Sequence, residues 1–185
     1  MPSTSPTHLA LLRGINVGGK HILPMAALAA MFEEAGCTAV KTYIQSGNVV
    51  FAATPALAKK LPKLIADRIE HKFKFRPVLI FRTRDQLASL AAANPYLRDE
   101  EDHAKIHVGF LETAPTRQLA AALDPKRSPG DRYHLVGSEL FMHFPNGAAD
   151  TKLTSAYLDS TLKTTVTARN WRTVLMLVEM LKPAQ

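Results

Sequence analysis

At 185 residues with 46% hydrophobic content, the chain is long enough to bury a core and fits one domain or two small packed units, so disorder is not the expectation. Its only cysteine, Cys37, rules out an internal disulfide and a multi-cysteine zinc site and fits a reducing compartment. A net charge of +7 suits polyanionic or phosphorylated partners and equally suits a solubilising surface.

The opening Met1-Pro2-Ser3-Thr4-Ser5-Pro6 lacks the basic start and apolar stretch of a signal peptide. No apolar run approaches the ~20 residues that span a bilayer, so the sequence predicts a cytoplasmic protein with no membrane partner.

Leu9 to Leu12 read as a strand that delivers a glycine-rich, basic loop, Arg13-Gly14-Ile15-Asn16-Val17-Gly18-Gly19-Lys20-His21. Pro24 opens a helix with Met25, Leu28, Ala29, Met31 and Phe32 at helical spacing, ended by Gly36. From Val40 the period becomes two, and Ser46-Gly47-Asn48 turns the chain into Val49-Val50-Phe51, a β-hairpin. Thr54-Pro55 starts a second helix through Leu57, Leu61, Leu64, Ile65 and Ile69, with Pro62 predicted to kink it or delay its start. Val78 to Phe81 form a fourth strand. The order is that of a split βαβ, ferredoxin-like unit.

The same plan recurs. Asp85 to Ala93 is a linking helix and Arg98 to Asp102 a charged loop. Ile106, Val108 and Phe110 alternate as a strand, Pro115 to Leu123 are helical, and Tyr133–Val136 and Leu140–Phe144 form a hairpin around Gly137-Ser138. Lys152 to Leu162 read as a helix, Thr164 to Thr167 as a last strand, and Arg169 to Leu181 as a terminal helix. The expected fold is α+β, with two ferredoxin-like (βαββαβ) units bearing antiparallel sheets. They comprise residues 1–84, a linking helix and charged loop over 85–102, and a second α+β unit with a C-terminal helix over 103–185.

In such a unit the second and third strands turn at the edge where the first strand exits. That geometry sets the Arg13–Lys20 loop beside Ser46-Gly47-Asn48, so that Arg13, Asn16, Lys20, Ser46, Asn48 and the backbone amides of Gly14, Gly18, Gly19 and Gly47 converge on an anionic or polar ligand. The competing reading makes these glycines tight turns and nothing more. Gly14 to Lys20 also match the first seven positions of a nucleotide-binding P-loop. The eighth is His21, which has no hydroxyl for magnesium, and three residues separate it from the helix.

Other chemistry is weakly signalled. His103 and His107 follow an acidic run, but their spacing suits a helix better than the strand predicted there, and no resident metal or cofactor is expected. Cys37 lacks the basic neighbours of a nucleophile, and Ser46 lies in no nucleophile elbow. Strand one carries no aromatic on which a base would stack, which disfavours RNA binding on the sheet surface but not through loops.

Three blocks carry a family resemblance: Leu11-Leu12-Arg13-Gly14-Ile15-Asn16-Val17-Gly18-Gly19-Lys20, Thr42-Tyr43-Ile44-Gln45-Ser46-Gly47-Asn48-Val49-Val50-Phe51, and Arg169-Asn170-Trp171-Arg172-Thr173-Val174. On these the chain resembles the uncharacterised bacterial family known as domain of unknown function 1697. The resemblance implies a two-part α+β fold without an assigned activity, and it marks Arg169, Asn170 and Trp171. Its pattern Thr-Thr-Arg-Asn-Trp-Asn-Thr stands here as Thr167-Ala168-Arg169-Asn170-Trp171-Arg172-Thr173, which puts polar roles at Ala168 and Arg172 in question. These residues are read at a helix start capped by Thr167, offering a second anion contact. Trp171 as a core anchor and Asn170 as a structural hydrogen-bonder is the alternative.

The sequence is compatible with three functions. One is a binding protein for a phosphate-bearing ligand or nucleic acid, one an enzyme acting on a small phosphorylated or polar metabolite, and one a protein-interaction scaffold.

Overall fold

The computed structural model describes residues 5–98 and 102–183. The chain divides into two units, Met1–Ala88 with Leu177–Gln185, and Ser89–Met176. The first contains β1 (His8–Leu12), α1 (Met25–Glu34), β2 (Thr38–Tyr43), β3 (Asn48–Ala52), α2 (Pro55–Phe73) and β4 (Leu79–Thr83), and α3 (Arg84–Ala92) follows. The second contains β5 (Ile106–Leu111), α4 (Arg117–Ala121), β6 (Arg132–Val136), β7 (Glu139–His143), α5 (Ser155–Leu162) and β8 (Val166–Asn170), and α6 (Trp171–Met180) follows. The sheets are antiparallel with orders β2-β3-β1-β4 and β6-β7-β5-β8, the ferredoxin-like order in both units.

Period-two strands and period-3.6 helices supply the two sides of each core. In the first unit Ala10 and Leu12, with Val49 and Phe51, bury against Leu28 and Phe32 of α1 and Leu61, Ile65 and Ile69 of α2. In the second, Leu111, Leu140, Met142 and Val166 bury against Leu158 and Leu162 of α5. Thr54, Thr116 and Thr154 cap α2, α4 and α5, each accepting from the backbone N–H three residues on. Thr83 and Gln86 cap α3 reciprocally: Thr83 N donates to Gln86 Oε1 and Gln86 N to Thr83 Oγ1.

Local signals misplace several boundaries. β2 begins at Thr38 because a bulge with Ala39 at φ +50 lets the chain pair with β3 earlier than the alternation from Val40 indicates. Pro62 neither delays nor ends α2, which runs through it with Leu61 and Ile65 fully buried on either side. Core burial there outweighs the lost backbone hydrogen bond. Helix α5 begins at Ser155 rather than Lys152, since Thr154 is its cap. The last strand extends to Asn170, because pairing of His107 with Asn170 and Val108 with Arg169 draws those residues into the sheet. The charged loop from Arg98 to Asp102 falls partly outside the described residues.

The turn joining β2 and β3 sits hard against the exit of β1. Leu12 N donates to Gly47 O at 2.8 Å, and Gly47 has φ +75. A Cβ at Gly47 would lie 2.8 Å from both Leu12 Cβ and Ile15 Cδ1. Gly47→Ala is therefore expected to cost about 2–4 kcal/mol, combining overpacking with left-handed backbone strain. Urea unfolding followed by circular dichroism measures it, and Gly137→Ala, where a Cβ meets nothing within 4 Å, serves as the milder positive-φ control.

Candidate functional site

After Leu12, Arg13 N still pairs with Val78 O at 3.0 Å, and then Gly14 at φ +67 turns the chain away from the sheet. Ile15 folds back into the core. Asn16, itself at φ +54, closes the loop: its Nδ2 donates to Leu23 O (3.0 Å) and Gln45 O (2.9 Å), and its Oδ1 accepts from Leu23 N (2.8 Å). Its backbone N donates to His21 O at 3.2 Å. Asparagine tolerates the left-handed region and carries both donor and acceptor, which this position requires.

Above that closure stands a miniature hairpin. Val17 bridges Lys20, whose N donates to Val17 O at 3.0 Å, with Gly18 and Gly19 at φ +58 and +73. Two consecutive positive φ values make a type I′ turn, the reason for two glycines. His21, at φ +52, hydrogen-bonds through Nδ1 to Gly14 O at 2.9 Å and stacks on Phe75, ring centroids 4.7 Å apart. A carbonyl accepts, so Nδ1 bears a proton in this hydrogen bond.

The loop and the Ser46–Asn48 turn do come together, through Leu12–Gly47 and Asn16–Gln45. Their side chains differ in what they offer. Asn48 is fully buried and its Nδ2 donates to Tyr43 O and Ser46 Oγ, so Asn48 and Ser46 tie the hairpin turn. Gly47 is buried, Arg13 half-buried, and Gly14, Gly18, Gly19 and Lys20 are exposed. The hairpin is followed by Ile22–Pro24 before α1, unlike a P-loop whose lysine enters a helix.

Arg169, Asn170 and Trp171 lie in the second unit. Arg169 is buried in β8, where its Nη1 donates to Thr167 Oγ1 and Ala168 O and burial pushes the guanidinium down to about 10. The expected cap at Thr167 is corrected to Asn170, whose Oδ1 accepts from Arg172 N and whose Nδ2 donates to Ala104 O. Trp171 is fully buried, with Nε1 unbonded among the described residues.

Three exposed aliphatic residues escaped the sequence reading: Val17 (68% exposed), Ile22 (57%) and Ile44 (50%). Ile44 is at φ +47, a costly conformation for a β-branched residue. The Gly-Gly pair between β-branched residues was the available signal for the small hairpin. Nothing local announces Ile44.

A family model described as "Protein of unknown function (DUF1697)" matches residues 6–141. The chain belongs to that family. The matched residues include both the loop and the Ser46–Asn48 turn and end before Arg169. A solved structure titled "The structure of conserved bacterial protein SP0830 from Streptococcus pneumoniae" is 23% identical, with TM-score 0.70 over 96% of this chain and 98% of that one. It shows a shared fold. No curated protein matches the sequence.

Titration is displaced elsewhere. Burial pushes the Cys37 thiol up to about 11, so it stays protonated near neutrality. Burial pushes the imidazoles of His8 and His107 down, with the Lys105 backbone partly offsetting this at His107. Among the described residues no group of three or more His, Cys, Asp and Glu is placed to hold a metal, and no helix is long and apolar enough to cross a membrane.

Two outcomes are expected. Asn16→Ala, which removes three side-chain hydrogen bonds, should lower stability by about 2–3 kcal/mol and accelerate amide exchange from Val17 to His21. Lys20→Ala should do neither. Because both histidines bind protons less well folded than unfolded, their contribution is complete above about pH 6.5 and is lost as pH falls toward their folded values. The urea midpoint should therefore drop as pH falls below about 6.5, with a shallower slope in a His8→Gln/His107→Gln variant.

Proposed function

We propose that this chain is a cytoplasmic binding module that presents the Val17–Lys20 hairpin to the phosphates of a nucleic acid or other phosphate-bearing ligand. The observation that carries the reading is the uncommitted hairpin tip. Among the described residues the amides of Gly18 and Gly19 donate to no protein group, and exposed Lys20 forms no ion pair. Backbone N–H groups beside a cation are the chemistry that receives a phosphate oxygen.

The loop is also more than the framework needs. The second unit passes from β5 to α4 through residues 112–116, whereas the first takes residues 13–24 to pass from β1 to α1. Asn16 spends its hydrogen-bonding capacity holding that added segment in one shape. Pre-organisation of this kind favours binding by lowering the entropy lost on association. The net charge of +7 adds long-range attraction for polyanions.

A second reading, docking of a protein partner, draws on the exposed Val17, Ile22 and Ile44. Fluorescence anisotropy with labelled single-stranded and duplex oligonucleotides at about 50 and 200 mM salt separates the two. Binding is expected at the lower salt, weakened roughly three- to tenfold by Lys20→Ala, with the salt slope reduced by about one. Absence of binding, or Lys20→Ala matching wild type, would overturn the phosphate reading.

A further inference from the structure

The two units carry a histidine at the same register of their first strand. His8 lies opposite Phe51 and Thr83, and His107 opposite Met142 and Asn170. Ala10 then corresponds to Gly109, and Phe81 to Ala168, all on the sheet face toward the unit's own helices. In the first unit Phe81 packs edge-on against Phe51, ring centroids 5.5 Å apart. In the second, alanine stands where that ring would be, and a cavity of about 250 Å³ opens there, lined by Ala168, Met142, Leu158, Val166 and His107.

The space does not reflect loose packing of the whole sheet. At neighbouring Gly109 a Cβ would lie 2.9 Å from Val166 Cγ1. Among the described residues no Lys, Arg, Asp or Glu lines the cavity, and the lowered His107 is mostly neutral at pH 7. Three hydroxyl residues line it: Thr151 Oγ1 is engaged with Asp131 Oδ2 and Leu153 N, Thr154 Oγ1 accepts from Tyr157 N and keeps its own proton to donate, and Ser155 Oγ is unbonded among the described residues. Walls without a countercharge disfavour an ion, because its desolvation would go unrepaid, while apolar surface with a few hydroxyls suits a neutral molecule.

We propose that the second unit binds a small uncharged amphiphile in this cavity, an apolar body bearing one hydroxyl and about ten non-hydrogen atoms in all. The site is independent of the hairpin. The test titrates p-cresol into the isotope-labelled full chain and follows amide resonances. Saturable shifts centred on His107, Gly109 and Ala168 are expected. Ala168→Phe, copying Phe81, should weaken binding by more than roughly tenfold. Ala149→Trp, at an exposed lining position that leaves the core untouched, should do the same and serves should Ala168→Phe fail to fold. No saturable shift in wild type, shifts centred elsewhere, or wild-type affinity in either folded variant would overturn the proposal.

Discussion

The closeness of the β2–β3 turn to the exit of β1 is the constraint on which the first unit's surface depends. Leu12 N donates to Gly47 O, and Ile15 and Leu12 occupy the volume that any larger residue at position 47 would need. With that seam closed, Gln45 O is presented to Asn16, and Asn16 in turn fixes both ends of the loop. The second unit makes the same backbone bond, Leu111 N to Ser138 O at 2.9 Å, but with serine rather than glycine. Its shorter crossover provides no counterpart of Ile15 to press against the turn. The glycine requirement thus follows from the positive φ of this turn and the close approach of Leu12 and Ile15, not from the ferredoxin-like order.

The two units illustrate how one framework accepts different fillings. Arg13 N to Val78 O and Glu112 N to Thr165 O are equivalent bonds, and the registers of the central strands β1 and β5 with their two neighbours correspond residue by residue. What differs is placed where the framework tolerates it: a structured hairpin after β1, and alanine in place of phenylalanine on the fourth strand. Sheet hydrogen bonding uses the backbone, so neither change disturbs the ladder. Each alters only what the unit exposes or encloses.

Much of this architecture is legible in the chain. Period-two runs at Val40–Gln45 and Ile106–Phe110, helical spacing from Met25 and Leu57, and the Thr54-Pro55 start all report local physics. The crossing of the Arg13–Lys20 loop with the Ser46–Asn48 turn was also accessible, since strand order alone dictates which ends share an edge. Asn48 was harder to read. Its residue type suits a ligand contact and a turn equally, and only its burial, with Nδ2 bonded to Tyr43 O and Ser46 Oγ, distinguishes them. Arg169 and Asn170 were misassigned to a helix because pairing with Val108 and His107 comes from a strand some sixty residues away.

The sequence by itself determined the α+β class, the duplicated order, the family and the place of the loop, because periodicity, turn residues and contiguous motifs are local. Only the tertiary structure decided that Gly18-Gly19 forms a projecting turn, that Asn16 is consumed in holding it and that Ile44 is strained and exposed. It alone also opened a cavity over Ala168. Those outcomes depend on partners distant along the chain, Gln45 for Asn16 and Met142 and Leu158 for the cavity. Whether a given side chain is spent on the fold or left for a ligand is fixed by such partners and not by its own neighbours in sequence.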